Sequence, residues 1–200
     1  MEFTNKRTIL ITASLLLVLA ITQAIYTTLY MAEISYSRQI AWGLEAVVFT
    51  VLVAFASAAM LQAKNCQLGW SAIAFSAVLN IVQVSIGLTL FSSFGKVAGA
   101  VEGAQPLIGG VVALSFMIYY AAKVLLGLAA LVFGMTSMAK GGKAIGGLTA
   151  LAGVVAMFSN SILIIFGRDG LLPSGVAGAS GMVATLLLAI CLISVYRKEG

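Results

Sequence analysis

Charge is the scarcest feature of this chain. Only 8% of its 200 residues are Asp, Glu, Lys or Arg, against about 25% in soluble domains, which need that polar surface to stay in water. With 62% apolar residues as well, no core of this size hides the apolar surface, and a bilayer is the remaining solvent. Histidine is absent, which removes imidazole haem ligation, most zinc chemistry and Ser–His hydrolysis. Asp169 is the only aspartate, so a carboxylate cluster for a metal or for phosphoryl transfer is hard to assemble. The two cysteines, Cys66 and Cys191, form no C-x-x-C and read as free thiols. No enzyme, cofactor or metal site is therefore expected. The basic residues lie singly between apolar runs and form no patch for nucleic acid.

What is present is a series of apolar runs of about 20 residues, the length that crosses a bilayer. They predict an all-α, polytopic bundle of six spanning helices: Thr8–Thr28, Ala41–Leu61, Ser71–Phe91, Ile118–Met138, Gly146–Phe166 and Val176–Tyr196. Residues 1–200 read as a single integral membrane domain. Both prolines, Pro106 and Pro173, fall in connections, where a missing N–H costs least. The basic start and Thr22-Gln23-Ala24 resemble a cleavable signal, but the apolar stretch runs on past Ala24, and the first span reads as retained.

Lys and Arg set the orientation. With the N-terminus in the cytoplasm, that side receives seven (Lys6, Arg7, Lys64, Lys140, Lys143, Arg197, Lys198) and the opposite side three (Arg38, Lys96, Arg168). That is a positive-inside pattern with both termini cytoplasmic. Tyr26, Tyr30, Tyr36, Tyr119, Tyr120 and Trp42 then fall at the outer interface, and Trp70 and Tyr196 at the inner, as aromatic belts. No N-x-S/T sequon is present, which agrees with a bacterial inner membrane.

One stretch resists this reading. From Leu107 to Met138 the chain is apolar for 32 residues, broken only by Lys123. A helix of that length spans about 48 Å, against a core of about 30 Å. Residues 107–117, with Gly109 and Gly110, are therefore expected to form a separate interfacial or re-entrant segment. A shift of 78 residues lays Ile40–Ala74 over Ile118–Ala152 with six identities in 35 positions. This suggests a duplicated helical hairpin, spans 2–3 and 4–5, with shared membrane composition as the alternative.

The register places Glu45 on Lys123, the two charged residues inside the spans. A charge within a span faces protein or water and needs a partner. The pair reads either as a zwitterion-binding or ion-path site in the outer half of the membrane, or as a structural ion pair on neighbouring helices, or as two residues snorkelling to the outer interface. Asn80 and Gln83 share a face of the third span with Ser76 and Gly87, and Asn160 shares one of the fifth with Thr149, Gly153 and Ala156. Amides there either join helices or line a cavity. Tyr119 and Tyr120 are candidates for a ligand entrance, since aromatic faces suit organic cations. Small-residue stripes at Ala20, Ala24, Ala177 and Gly181 mark helix packing, including a seam for a second copy or a partner membrane subunit. Membrane lipid is the surrounding partner.

The general plan resembles that of the small six-helix vitamin-binding components of energy-coupling transporters in length, basic balance and the Ala20-x-x-x-Ala24 pair of the first span. The in-span charges and amide faces lead to the expectation of a transport or channel component for a small solute. The alternative is a non-catalytic accessory subunit of a larger membrane complex.

Overall fold

The computed structural model describes residues 5–34, 37–63, 65–90, 94–167, 171–172 and 175–198. Tyr36, Lys64, Ser93, Arg168, Asp169, Pro173 and Ser174 lie outside the described residues, as do the side chains of Tyr30, Arg38, Tyr196, Arg197 and Lys198. Seven helices follow one another: α1 (Asn5–Met31), α2 (Arg38–Gln62), α3 (Gln67–Thr89), α4 (Gly95–Gly99), α5 (Gln105–Ala139), α6 (Lys143–Phe166) and α7 (Val176–Lys198). Six of them, all but α4, are long and apolar enough to cross a membrane. Their hydroxyls are made compatible with an apolar surround by bonding back along the helix: Thr12 to Thr8 O, Thr50 to Ala46 O and Thr185 to Gly181 O, at 2.7–2.9 Å. The start of α1 and the end of α7 lie at one end of the bundle, the near end.

Five helices close into a ring in which α1 packs on α2, α2 on α3, α3 on α5, α5 on α7 and α7 on α1. Helix α6 stands outside, against α5 and α7. Leu16, Leu52, Ile73, Leu126 and Leu188, one from each ring helix, are at most 3% exposed and fill the near half of its interior. Burying a leucine contributes about 1.5–3 kcal/mol in water. Between helices in lipid that transfer term largely vanishes, and close packing takes over.

The α5–α6 seam shows the packing at its tightest. A Cβ built at Gly134 would lie 2.5 Å from Ala150 N, and one at Gly153 would lie 2.5 Å from Gly127 O. Gly127 faces Gly153 and Gly134 faces Gly146, so two glycine pairs let the backbones touch. The turn between the two helices uses Gly141 at φ 86°, a left-handed conformation that costs glycine nothing. On the 78-residue register the α2–α3 turn falls at nearly the same place: Gln67, the first residue of α3, aligns with Ile145, two residues after α6 begins at Lys143.

The expected separate segment at 107–117 is corrected. α5 is one continuous helix of 35 residues from Gln105. Pro106 lies in its first turn, where an N–H has no intrahelical acceptor to lose, and no later proline interrupts it. Gly109 and Gly110 have nothing within 4 Å of a built Cβ, so no neighbour bends the helix there. Ser115 ties this stretch to α3, its hydroxyl 3.4 Å from both Gln83 O and Gln83 Nε2. The helix is about 52 Å long, and its far third presents Leu107, Leu114 and Met117, each more than half exposed.

Two aromatic residues expected in the interface belts face other helices rather than lipid. Trp70 is 2% exposed and meets Phe133 edge-on, with ring centroids 4.8 Å apart. Tyr120 is 7% exposed and packs with Leu163 and Ala177. Ala20, Ala177 and Gly181 are buried within the chain and seat its own helices, while Ala24 is half-buried.

Candidate functional site

Lys123, Glu45 and Gln23 stand on three different helices at one level. Each lies about 17 residues, roughly 25 Å, from the near end of α5, α2 and α1 respectively. Gly181 of α7 lies at the same depth, and a Cβ built there would come within 2.7 Å of Lys123 Cδ. The missing side chain on α7 is what leaves room for the lysine. One turn further from the near end, about 6 Å, comes an aromatic layer of Tyr26, Trp42 and Tyr119. Tyr26 and Trp42 have centroids 5.8 Å apart, and Trp42 reaches across to Gly87 of α3. The charged layer is thus set between an apolar core and a layer of rings.

Glu45 and Lys123 are near enough for their charges to attract, yet both form their hydrogen bonds with α1 rather than with each other. Lys123 Nζ donates to Gln23 Oε1 at 2.6 Å and lies 5.0 Å from the centroid of the Tyr119 ring, a cation–π position. Gln23 Nε2 in turn donates to the Tyr119 hydroxyl. Both ends of the Gln23 amide are engaged, which fixes its orientation. On the adjacent residue, the Thr22 hydroxyl donates to Glu45 Oε1 at 3.0 Å, and Leu19 O competes for the same proton at 3.1 Å. Consecutive residues of α1 therefore bond the two charges separately.

The hydrogen-bond balance of this network is incomplete. An ammonium has three donors and a carboxylate about four acceptor sites. Among the described residues Lys123 Nζ, 3% exposed as a residue, uses one donor, and Glu45 receives part of one hydroxyl proton. A charge at a helix centre in a bilayer costs about 2.5–3.5 kcal/mol on insertion scales, and one charge-assisted hydrogen bond returns about 1.5–3 kcal/mol. Each charge is supported but not saturated. Glu45 is half-buried, not sealed.

The other sequence candidates sit elsewhere. Asn80 is buried and bonds Ser76 O and Oγ one turn back, while Ser76 Oγ crosses to Ala122 O of α5 at 2.8 Å. Gln83 reaches Ser115. Asn160 joins α6 to α7 through Ala177 O at 3.2 Å, and its Oδ1 is the one buried side-chain polar atom without a partner among the described residues. These three amides serve helix-to-helix or local bonds. Tyr120 is held in the apolar cluster between α5, α6 and α7.

Sequence reasoning missed Thr22 and Gln23 as site residues, because they read as part of a signal-like motif. Gln23 did carry a signal: it is the only amide in the apolar run of α1. A lone amide at the depth of two in-span charges is a candidate partner for one of them. No protein-family model matches this chain, and no curated protein or solved structure was found to match it.

Proposed function

We propose that this chain is a transport or channel component for a small solute, with Gln23, Glu45, Tyr119 and Lys123 as its recognition site. The observation that carries the reading is that the two in-span charges bond separately to Thr22 and Gln23 of α1 and not to each other. A purely structural ion pair lowers its cost by closing to roughly 3 Å. A recognition site keeps charges apart and lets the solute complete them. The chain sits in a bacterial inner membrane with both termini cytoplasmic, on the Lys and Arg balance of seven to three. The charged layer then lies in the outer half of the bilayer, in reach of external solute.

One observation favours the accessory-subunit reading. The far third of α5 extends past a core of about 30 Å while exposing Leu107, Leu114 and Met117, a surface a partner helix would cover. Purification from native membranes separates the two. Transport predicts a chain that isolates alone and is stabilised by a small solute; a stoichiometric partner that stays through purification, with no solute response, favours the accessory role.

A further inference from the structure

The recognition site has two ends of opposite sign. Resting on that reading of the site, we propose that its ligand is a small zwitterion, its carboxylate taken by Lys123 and Tyr119 and its ammonium by Glu45 beneath the Tyr26–Trp42 ring pair. At the first end, the Tyr119 hydroxyl accepts from Gln23 Nε2, so its own proton remains to donate. Lys123 Nζ has two donors beyond the one given to Gln23. These donors are one helical turn apart on α5, on the side that meets α7: a Cβ at Gly178 would lie 3.5 Å from the Tyr119 oxygen, and one at Gly181 would meet the Lys123 stem. A carboxylate accepts from several donors at once. At the second end, Glu45 has no hydroxyl proton to itself, because Thr22 divides its own with Leu19 O. Trp42 lies one turn outward of Glu45 on the same face of α2 and Tyr26 one turn outward of Thr22 on α1. Their rings adjoin each other at 5.8 Å, one turn outward of that end, and aromatic rings attract organic ammonium groups.

Charge balance selects the class. Site and zwitterion are each neutral overall, so binding leaves no net charge in the membrane. A simple organic cation leaves Lys123 without its anion and brings a second positive charge near it. A simple carboxylate does the converse to Glu45. Both are disfavoured by the mismatch itself.

The test uses the purified full chain in lipid nanodiscs with four probes: glycine and glycine betaine as zwitterions, choline as the cation alone and acetate as the anion alone. Equilibrium binding and thermal stabilisation are both read. At least one zwitterion should bind about tenfold or more tightly than choline or acetate. Glu45→Gln and Lys123→Met should each weaken it by about tenfold to a hundredfold. Should Lys123→Met not fold, Tyr119→Phe, which removes only the phenolic hydroxyl, should weaken the zwitterion by about tenfold and leave choline unchanged. Tighter binding of choline or acetate than of either zwitterion overturns the ligand class and leaves the transport reading standing. Zwitterion binding that is unchanged in Glu45→Gln and Tyr119→Phe overturns the site. Failure of all four probes overturns the inference; if the chain also isolates with a stoichiometric partner, the transport reading falls with it.

Discussion

Gln23 Oε1 and Lys123 Nζ meet at 2.6 Å across 100 positions of sequence. This bond fastens the first helix to the fifth, although α1 makes its main packing contacts with α2 and α7. Through Thr22 the same helix also holds Glu45. α1 is thus both a wall of the ring and the helix that bonds both in-span charges, the buried Lys123 and the half-buried Glu45.

Removing the Gln23 amide isolates the lysine. Gln23→Leu should destabilise the protein by about 1.5–3 kcal/mol, the range for a lost bond to a charged group. Thr22→Val should cost less, about 0.5–1 kcal/mol, since Glu45 is half-buried and shares that proton already. Reversible unfolding in mixed micelles measures both. Equal losses would mean that Lys123 does not depend on Gln23.

Glycine substitutions should separate by location. Gly134→Ala and Gly153→Ala each set a methyl against backbone at 2.5 Å and should cost about 1–3 kcal/mol by overpacking. Gly110→Ala meets nothing within 4 Å inside a helix and should stabilise by about 0.5–1 kcal/mol. Gly181→Ala meets Lys123 Cδ, Cγ and Cβ at 2.7–3.3 Å, a stem whose tip Gln23 holds, so it should both destabilise the protein and displace the lysine. Thermal unfolding of the four variants ranks them, and a harmless Gly134→Ala would contradict the α5–α6 contact.

Orientation is open to cysteine labelling in a chain carrying Cys66→Ser and Cys191→Ala. Ala100→Cys, exposed after α4, should react with an impermeant maleimide on intact cells. Lys143→Cys, at the start of α6, should react only after permeabilisation. The reverse pattern would invert the topology and place the charged layer on the cytoplasmic side.

Much of the fold was legible because apolar runs and isolated basic residues report the bilayer directly. The break expected before Ile118 was not there. Span length and the Gly109–Gly110 pair argued for it, but Pro106 in the first turn and two glycines in open surroundings do not stop a helix. Glu45 and Lys123 stood out as charges in apolar runs, but their partners did not. Whether an in-span amide meets a lysine or a backbone carbonyl depends on which helices are neighbours, and one sequence does not fix the order of a ring. For the same reason Gly181 read as a seam between chains, while it makes space for Lys123 within one.

The central claim is that the separated charges serve recognition and not only folding. Its most direct test is the double variant Glu45→Gln with Lys123→Met, compared with wild type by thermal unfolding against a broad panel of amino acids, betaines, organic cations, carboxylates and neutral solutes. Replacing both charges leaves neither one orphaned, but Gln23 loses its lysine, so the double variant should fold with a loss of about 1–3 kcal/mol. The account predicts that at least one solute stabilises the wild type and that this stabilisation is lost in the folded double variant. A folded double variant that keeps every solute response of the wild type would contradict it.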